Sequence, residues 1–556
     1  MVASRTSSVT WLLATAFSSY ILWHAANSWS QVPLVDGWPV YNRLMQYMTG
    51  EVDLLSYLLA PHGAHPHAVV YGLYLVDWRF GGQQLVPFAV SVVCIASFGI
   101  LSSALVYTAA RKRGAAARSS SLAGAAALVV GVAVSREILE PFQVVLTASR
   151  LIYCLGLLGF VFALRGNRTR MDLVLLAATS LAVTFHGSGL LFAILIALQH
   201  MILSKTMWQR AAGLLPLITF LIYTFFWLPP GQGELSGLGS WLATITIDSI
   251  WRVALGAFAY YGSIFFILLP NKSEYWVLLI IGAPVALASG LWALRIIIEH
   301  KKHDVSALTL AFFSLFAALS AGSAGLIWEI RATLDSAIDP LHNVVISQRY
   351  AASAALGFLV LCVPLASRHR SPLSHRAGLS LTAALALAFA FTSQRMIEHR
   401  GGMTTAMDIA ATAVFAGARF TETPAEELWP RVAEDWYWPN QLTVLSKYMQ
   451  QKRVGFYRYL PEPGTNLSGN SWQVRLLGAV TEPTSAAGIC AIQGSFTARP
   501  GSKLTRGHLF PVVDAQGIVQ GAIAVHESDF KKVNPVSGHV RCGVEPTQMS
   551  IVTLLN

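Results

Sequence analysis

Apolar runs of bilayer length recur along this chain, and no other feature limits its possible folds so severely. A helix needs about 20 apolar residues to cross the hydrocarbon core, where each backbone amide must be satisfied without water. Such runs lie near 9–27, 86–110, 119–135, 149–165, 172–185, 188–203, 213–229, 275–297, 306–327, 350–367 and 376–393, eleven in all. With 54% hydrophobic and 12% charged residues over 556 positions, and a mean hydropathy of +0.53, the chain reads as a polytopic α-helical membrane protein. The net charge of +11 would suit nucleic-acid binding if it formed one patch. Instead the basic residues sit in short turns between apolar runs: "RKRGAAAR" from Arg111, "RGNRTR" from Arg165, "EHKKH" from Glu299 and "SRHRSPLSHR" from Ser367. This is the pattern of cytoplasmic loops under the positive-inside rule, so bilayer lipids are expected as partners and nucleic acid is not.

The first run follows Arg5 and reads as an uncleaved span, which puts the N-terminus in the cytoplasm. The segment 241–270 is as apolar as a span. Counting it as one would move "EHKKH" outside and invert every later loop, so it is expected to be re-entrant or to lie in the interface. Eleven crossings then leave the C-terminus outside. The expected outer segments are 28–85, 136–148, 230–274 and 328–349, followed by everything after about residue 392. We expect a membrane module over 1–400 and an outer C-terminal domain over 401–556, with 402–460 helical and 469–556 β-rich. Short alternating runs such as "WQVRLLGAV" and "GIVQGAIAV", separated by Gly, Pro, Asp and Asn, predict a small antiparallel β-sandwich there. Cys490 and Cys542 fall in this region and form a disulfide if it faces an oxidising compartment. Cys94, Cys154 and Cys362 fall in apolar runs, as small core residues do.

The loop after the first span concentrates the chemistry. Asp36, in "VDGWP", stands a few residues beyond the membrane, where a carboxylate can act as a general base; the bland alternative is a helix cap or a turn with Gly37. Trp38, Tyr41, Leu44, Met45 and Met48, then Leu54, Leu55, Leu58 and Leu59, recur at helical spacing and predict two interface-lying helices with aromatic anchors. Trp38 could alternatively stack on a sugar ring. "PHGAHPH" supplies His62, His65 and His67, which suit polar contacts to a phosphate or sugar. Zinc is the alternative, although a Pro interrupts the cluster and its spacing is not the helical His-x-x-x-His. Elsewhere Arg136 and Glu140 at i, i+4 are a potential ion pair, Arg349 and Tyr350 open a late span as a phosphate clamp or an interface anchor, and His186 sits in a turn between two spans.

The order of these pieces resembles the bacterial polytopic membrane proteins of the glycosyltransferase C superfamily. That pattern has an Asp-x-Trp-type element opening the first outer loop, a His-x-x-His element and an aromatic, Gly-rich exit. A Gln-containing outer segment, a Gly-containing turn between spans and an Arg-Tyr pair follow. The corresponding pieces here are Asp36 and Trp38; His62 and His65; "EPFQ" from Glu140; "FHGSGLL" from Phe185; and "QRY" ending at Tyr350. The resemblance covers roughly residues 9 to 450. The chain departs from the His-x-Glu-His-Arg form of relatives, having Ala64 and Pro66 at the Glu and Arg positions. Glu51, Asp53 or Glu140 would then supply the acid, and Arg43, Arg136, Arg150 or Arg349 the cation.

The resemblance implies an inverting transferase of the bacterial inner membrane, acting on the periplasmic face. Its donor would be a sugar on polyprenyl phosphate and its acceptor a cell-envelope glycan, lipid or protein. Asp36 would be the base, and His62, His65, Arg136, Glu140, His186, Arg349, Tyr350 and Trp38 would line the substrate cleft. No cofactor is required by this chemistry, and no metal ligands are assigned; a divalent metal at the histidines is the alternative. The competing readings are a transporter or flippase of a lipid-linked glycan, whose usual mark is an ionisable residue in mid-span, and a membrane-anchored envelope-assembly protein working through its C-terminal domain.

Overall fold

The computed structural model describes residues 2–27, 29–30, 32, 37–62, 65–133, 143–227, 238–269, 276–334, 339–340, 344, 351–367, 372–420, 442–457, 460–468, 473–484, 488–497, 509–526 and 534–552. α1 (Val2–Asn27) is followed by the first long loop, which holds α2 (Gly37–Met48), α3 (Leu54–Leu58), the paired strands β1 (Pro61–His62) and β2 (His65–Pro66), and α4 (Ala68–Arg79). Next come α5 (Leu85–Lys112), α6 (Ala117–Val132), α7 (Val144–Arg165), α8 (Thr169–Ala182), α9 (Gly189–Leu203), α10 (Met207–Ala212), α11 (Leu215–Trp227) and α12 (Leu238–Ala243). The helical part closes with α13 (Ile247–Gly262), α14 (Trp276–Ile298), α15 (Val305–Leu334), α16 (Ala351–Ala366), α17 (Pro372–Phe420) and α18 (Leu442–Lys452).

Among the described residues, seven helical stretches are long and apolar enough to cross a membrane: Leu85–Lys112, Val144–Arg165, Met207–Phe226, Ile247–Leu268, Trp276–Ile298, Val305–Thr333 and Pro372–Glu398. The other runs expected to span are also helical, but α6, α8, α9 and α16 are shorter. At 1.5 Å per residue, the 15 residues of α9 reach about 22 Å, short of the hydrocarbon thickness. The segment expected to be re-entrant is one of the seven. α13 packs closely on both α14 and α15. A Cβ on Gly282, near the start of α14, would meet Phe258 O at 1.9 Å, and one on Gly325, near the end of α15, would meet Val253 O at 2.5 Å. The 3-10 extension of α13 carries Phe265 against Phe358 and Phe389.

The bundle core is largely apolar, with Phe98, Tyr153, Phe192, Phe312 and Phe358 fully buried. α17 is 49 residues long and passes position 401 without a break. Its first part belongs to the bundle. Its later residues Met407, Ala411, Val414 and Phe415 are buried in a second core shared with the first long loop and the C-terminal strands.

Those strands are β3 (Gln473–Arg475), β4 (Leu477–Pro483), β5 (Ile489–Phe496), β6 (Leu509–Val513), β7 (Val519–Val525), β8 (Asn534–Arg541) and β9 (Ser550–Val552). They differ from the expected β-sandwich. All seven form one antiparallel sheet in the order β3-β9-β6-β7-β8-β5-β4. The reason lies in how its faces are covered. Val519, Ala522 and Ala524 join the second core with α17 and α18, while Ile523, Val525, Phe510 and Val540 form a separate core on the other face. With a helix lying on one face, no second sheet is needed to bury it. Cys490 on β5 and Cys542 just beyond β8 are joined in a disulfide with a Cα–Cα distance of 5.0 Å.

Candidate active site

The loop between α1 and α5 is a packed element of the protein. Trp38 is 2% exposed, and Tyr41, Tyr57 and Tyr74 are fully buried. They lie in the second core beside Met407, Leu445, Met449 and Val519. The expected interface-lying helix is therefore corrected for α2: Trp38, Tyr41, Leu44 and Met45 face the C-terminal region, which supplies a drier partner than the bilayer surface, whereas Leu54 and Leu55 of α3 are exposed. Trp38 likewise packs in a protein core, with little ring surface left for a sugar.

Local chemistry explains the loop's course. Asp53 caps α3, accepting from Ser56 N and Ser56 Oγ at 2.8 Å, and these bonds hold its carboxyl below the usual range. A residue weighed as a replacement acid is thus engaged as a cap. Burial, reinforced by the Asp77 charge, pushes the Tyr41 phenol well above its usual pKa, so it stays a donor and bonds Gly82 O. Tyr57, whose phenol burial also pushes up, donates to Tyr71 O at 2.9 Å.

At the exit from α4 the backbone doubles back through Gly81, Gly82 and Gln84, all at positive φ (106°, 64° and 62°). Such a turn needs external support, since Gln84 is no glycine. Asp77, 1% exposed, provides it: Oδ2 accepts Gln84 N at 2.7 Å and Oδ1 accepts Val86 N at 2.9 Å. Tyr74 adds a bond from its hydroxyl to Gln84 Oε1 at 3.1 Å.

α4 packs on α5 and α7, which places the loop over the end of the bundle where those helices begin. The turn between α8 and α9 lies at the same end. There the His67 and His186 rings meet, their centroids 5.8 Å apart and inclined at 66°, with exposures of 4% and 6%. Ser188 N donates to His186 Nδ1 at 3.1 Å, and Ser188 Oγ lies 2.7 Å from that nitrogen. A nitrogen that accepts a backbone N–H carries no proton, so neutral His186 is the Nε2–H tautomer. Arg150, in the second turn of α7, is 5% exposed with its guanidinium 5.8 Å from the Phe98 ring. Gln143, the last residue of "EPFQ", is buried just before α7.

Of the residues expected at the site, Asp36, Arg136, Glu140, Arg349 and Tyr350 lie outside the described residues, as do the side chains of His62 and His65. The backbones of His62 and His65 pair with each other across β1 and β2. The described structure therefore brings together His186 and the third histidine of "PHGAHPH", His67, which sequence reasoning had noted but not assigned to the site. Asp77 and Tyr41 were missed as well. The one signal for Asp77 was an acid a few residues before a Gly-Gly pair, a position suited to holding a tight turn.

No family model matches this sequence, and no curated protein matches it. Among solved structures, the chain is similar to an oligosaccharyltransferase from Archaeoglobus fulgidus, captured with a tethered acceptor peptide containing an NVT sequon. The identity is 12% and the TM-score 0.34; the match covers 72% of this chain and 57% of that protein.

Proposed function

We propose that the chain is an inverting glycosyltransferase that moves a sugar from polyprenyl phosphate to an envelope glycan, lipid or protein on the periplasmic face of a bacterial inner membrane. The observation that carries this reading is the ordered set of loop motifs, two of which, "PHGAHPH" and "FHGSGLL", come into contact through His67 and His186. Asp36 takes the proton of the acceptor hydroxyl as that oxygen attacks the anomeric carbon. The bond from that carbon to the phosphate oxygen breaks on the opposite face, and polyprenyl phosphate leaves with the bonding electrons. The leaving group is already an anion, so no general acid is required. Arg136 and Arg349 hold the phosphate, with His62, His65, His186 and Tyr350 beside it, and Glu140 orients the acceptor hydroxyl. Trp38 supports the start of α2 from within the core. The packed first loop limits water at the reacting centre, which strengthens each of these contacts.

The competing reading is transport, but the buried Asp172–His200 pair, Nε2 to Oδ1 at 2.9 Å, lies in the first turn of α8 and the last turn of α9 and not in mid-span, so it does not carry the transporter's mark. Purified protein in nanodiscs, given a panel of radiolabelled polyprenyl-phosphate sugars with envelope extracts as acceptors, separates the two. The transferase reading expects one donor to be consumed only when acceptor is present, releasing polyprenyl phosphate and an inverted anomer. Movement of intact donor across proteoliposomes, with no consumption, would replace it with transport.

A further inference from the structure

The exit of the first long loop is tied to the C-terminal region by contacts between residues some 370 positions apart. Gly455 N donates to Gly81 O at 2.8 Å. The Tyr448 ring stacks on Trp78, with centroids 6.0 Å apart and planes at 15°. The fit is close: a Cβ on Gly82 would lie 3.3 Å from the Trp78 ring and 3.4 Å from Gly455 N, while one on Gly455 would strike Met449 Cε at 2.4 Å. Both glycines also have positive φ, +64° and +61°, so neither position admits a side chain without strain. From this junction the bonds run inward. Gly82 O accepts the Tyr41 hydroxyl of α2, and Tyr41 lies edge-on to Tyr74, at 5.3 Å and 81°, whose hydroxyl bonds the same turn. α2 itself packs against α18. A second tie connects Ser30 Oγ, just before α2, to the buried Asp408 on α17.

We propose that the C-terminal region is a clamp in cis, holding the first long loop in its working shape through the Tyr448 and Gly455 contacts, so that Tyr448 and Tyr41 are positioning residues for transfer. This rests on the reading that Asp36, which directly precedes α2 in sequence, is the base. The region is neither a detached acceptor-binding module nor a tether. Its helix α18 and the turn after it complete the wall on which α2 and α4 rest.

The experiment compares wild type, Tyr448→Ala, Tyr448→Phe and Tyr41→Phe in nanodiscs, reading backbone hydrogen exchange and steady-state transfer. Loss of the stacked pair is expected to speed exchange in α2 and residues 81–84 by up to about tenfold, with α5 and α7 unchanged. Tyr448→Phe keeps the stacking face and is expected to exchange as wild type. Tyr41→Phe, which loses only the bond to Gly82 O, is expected to loosen α2 without disturbing α18. In transfer, Tyr448→Ala and Tyr41→Phe are expected to lower kcat with the donor KM unchanged, because the loop still forms but holds its shape for less of the time. Exchange confined to α18 in Tyr448→Ala, or a wild-type kcat despite a loosened loop, overturns the clamp. Absence of donor turnover in wild type overturns the proposed function instead, and the exchange pattern then still decides whether the clamp exists.

Discussion

Removing the Asp77 carboxylate leaves Gln84 N and Val86 N without their acceptor in a buried turn already held at positive φ. Hydrogen bonds to a charged group are worth about 1.5–3 kcal/mol each, so losing two in Asp77→Ala is expected to cost roughly 3–6 kcal/mol, read as a lowered melting temperature. Asp77→Asn keeps one acceptor but sets an amide donor against the other N–H, and is expected to recover only part of the loss. Sequence alone does not separate this aspartate from Asp36. Both stand beside a tryptophan and near a glycine in one loop, one in "VDGWP" and the other in "VDWRFGG". Only the fold shows that the oxygens of Asp77 hold a turn. Asp53 makes the same point, since its role as a cap depends on α3 starting at Leu54. A residue's type offers a chemistry, and the neighbours the fold brings to it decide whether that chemistry is used.

The seam between α17 and the sheet contains His539, whose Nδ1 lies 2.9 Å from Thr412 Oγ1. Burial holds this histidine below the usual range. Because its folded pKa is depressed, the unfolded state binds the proton first. The seam should therefore be fully stable above about pH 6.5 and lose stability as the pH falls from there toward the lower folded value. A melting series from pH 8 to pH 5 is expected to show this loss, and His539→Gln should flatten it. The disulfide closes a loop with a sequence separation of 52. By chain entropy its loss in the Cys490→Ser, Cys542→Ser pair is expected to cost about 4 kcal/mol, measured as the unfolding of the C-terminal sheet with and without reductant. Short apolar runs bounded by Gly, Pro, Asp and Asn were enough to read strands in this region. They did not reveal the single sheet. β6 and β7 are buried on both faces, and the partner on one face is α17, a helix that the sequence reading ended near residue 393.

Across the whole molecule, helices were the most legible part, since bilayer-length apolar runs leave few other options. Their assembly was less so. The first loop's aromatic stripe was read as lying on the membrane because amphipathic spacing looks the same whether the apolar face meets lipid or protein. The distinguishing contacts, Gly81 to Gly455 and Ser30 to Asp408, join residues far apart in the chain, and no local pattern announces them. The candidate site was read as an ordered series of short motifs, and the contact of His67 with His186 depends on two turns converging over the same bundle end. The central claim is that the loop held there serves a transfer reaction with Asp36 as base. The most direct test is the turnover of Asp36→Asn against wild type on a donor that wild type consumes. Asparagine keeps the shape and one oxygen but cannot accept the proton, so kcat should fall by about 10²–10⁴-fold with melting temperature and donor binding unchanged. Equal turnover by the two proteins would contradict the account.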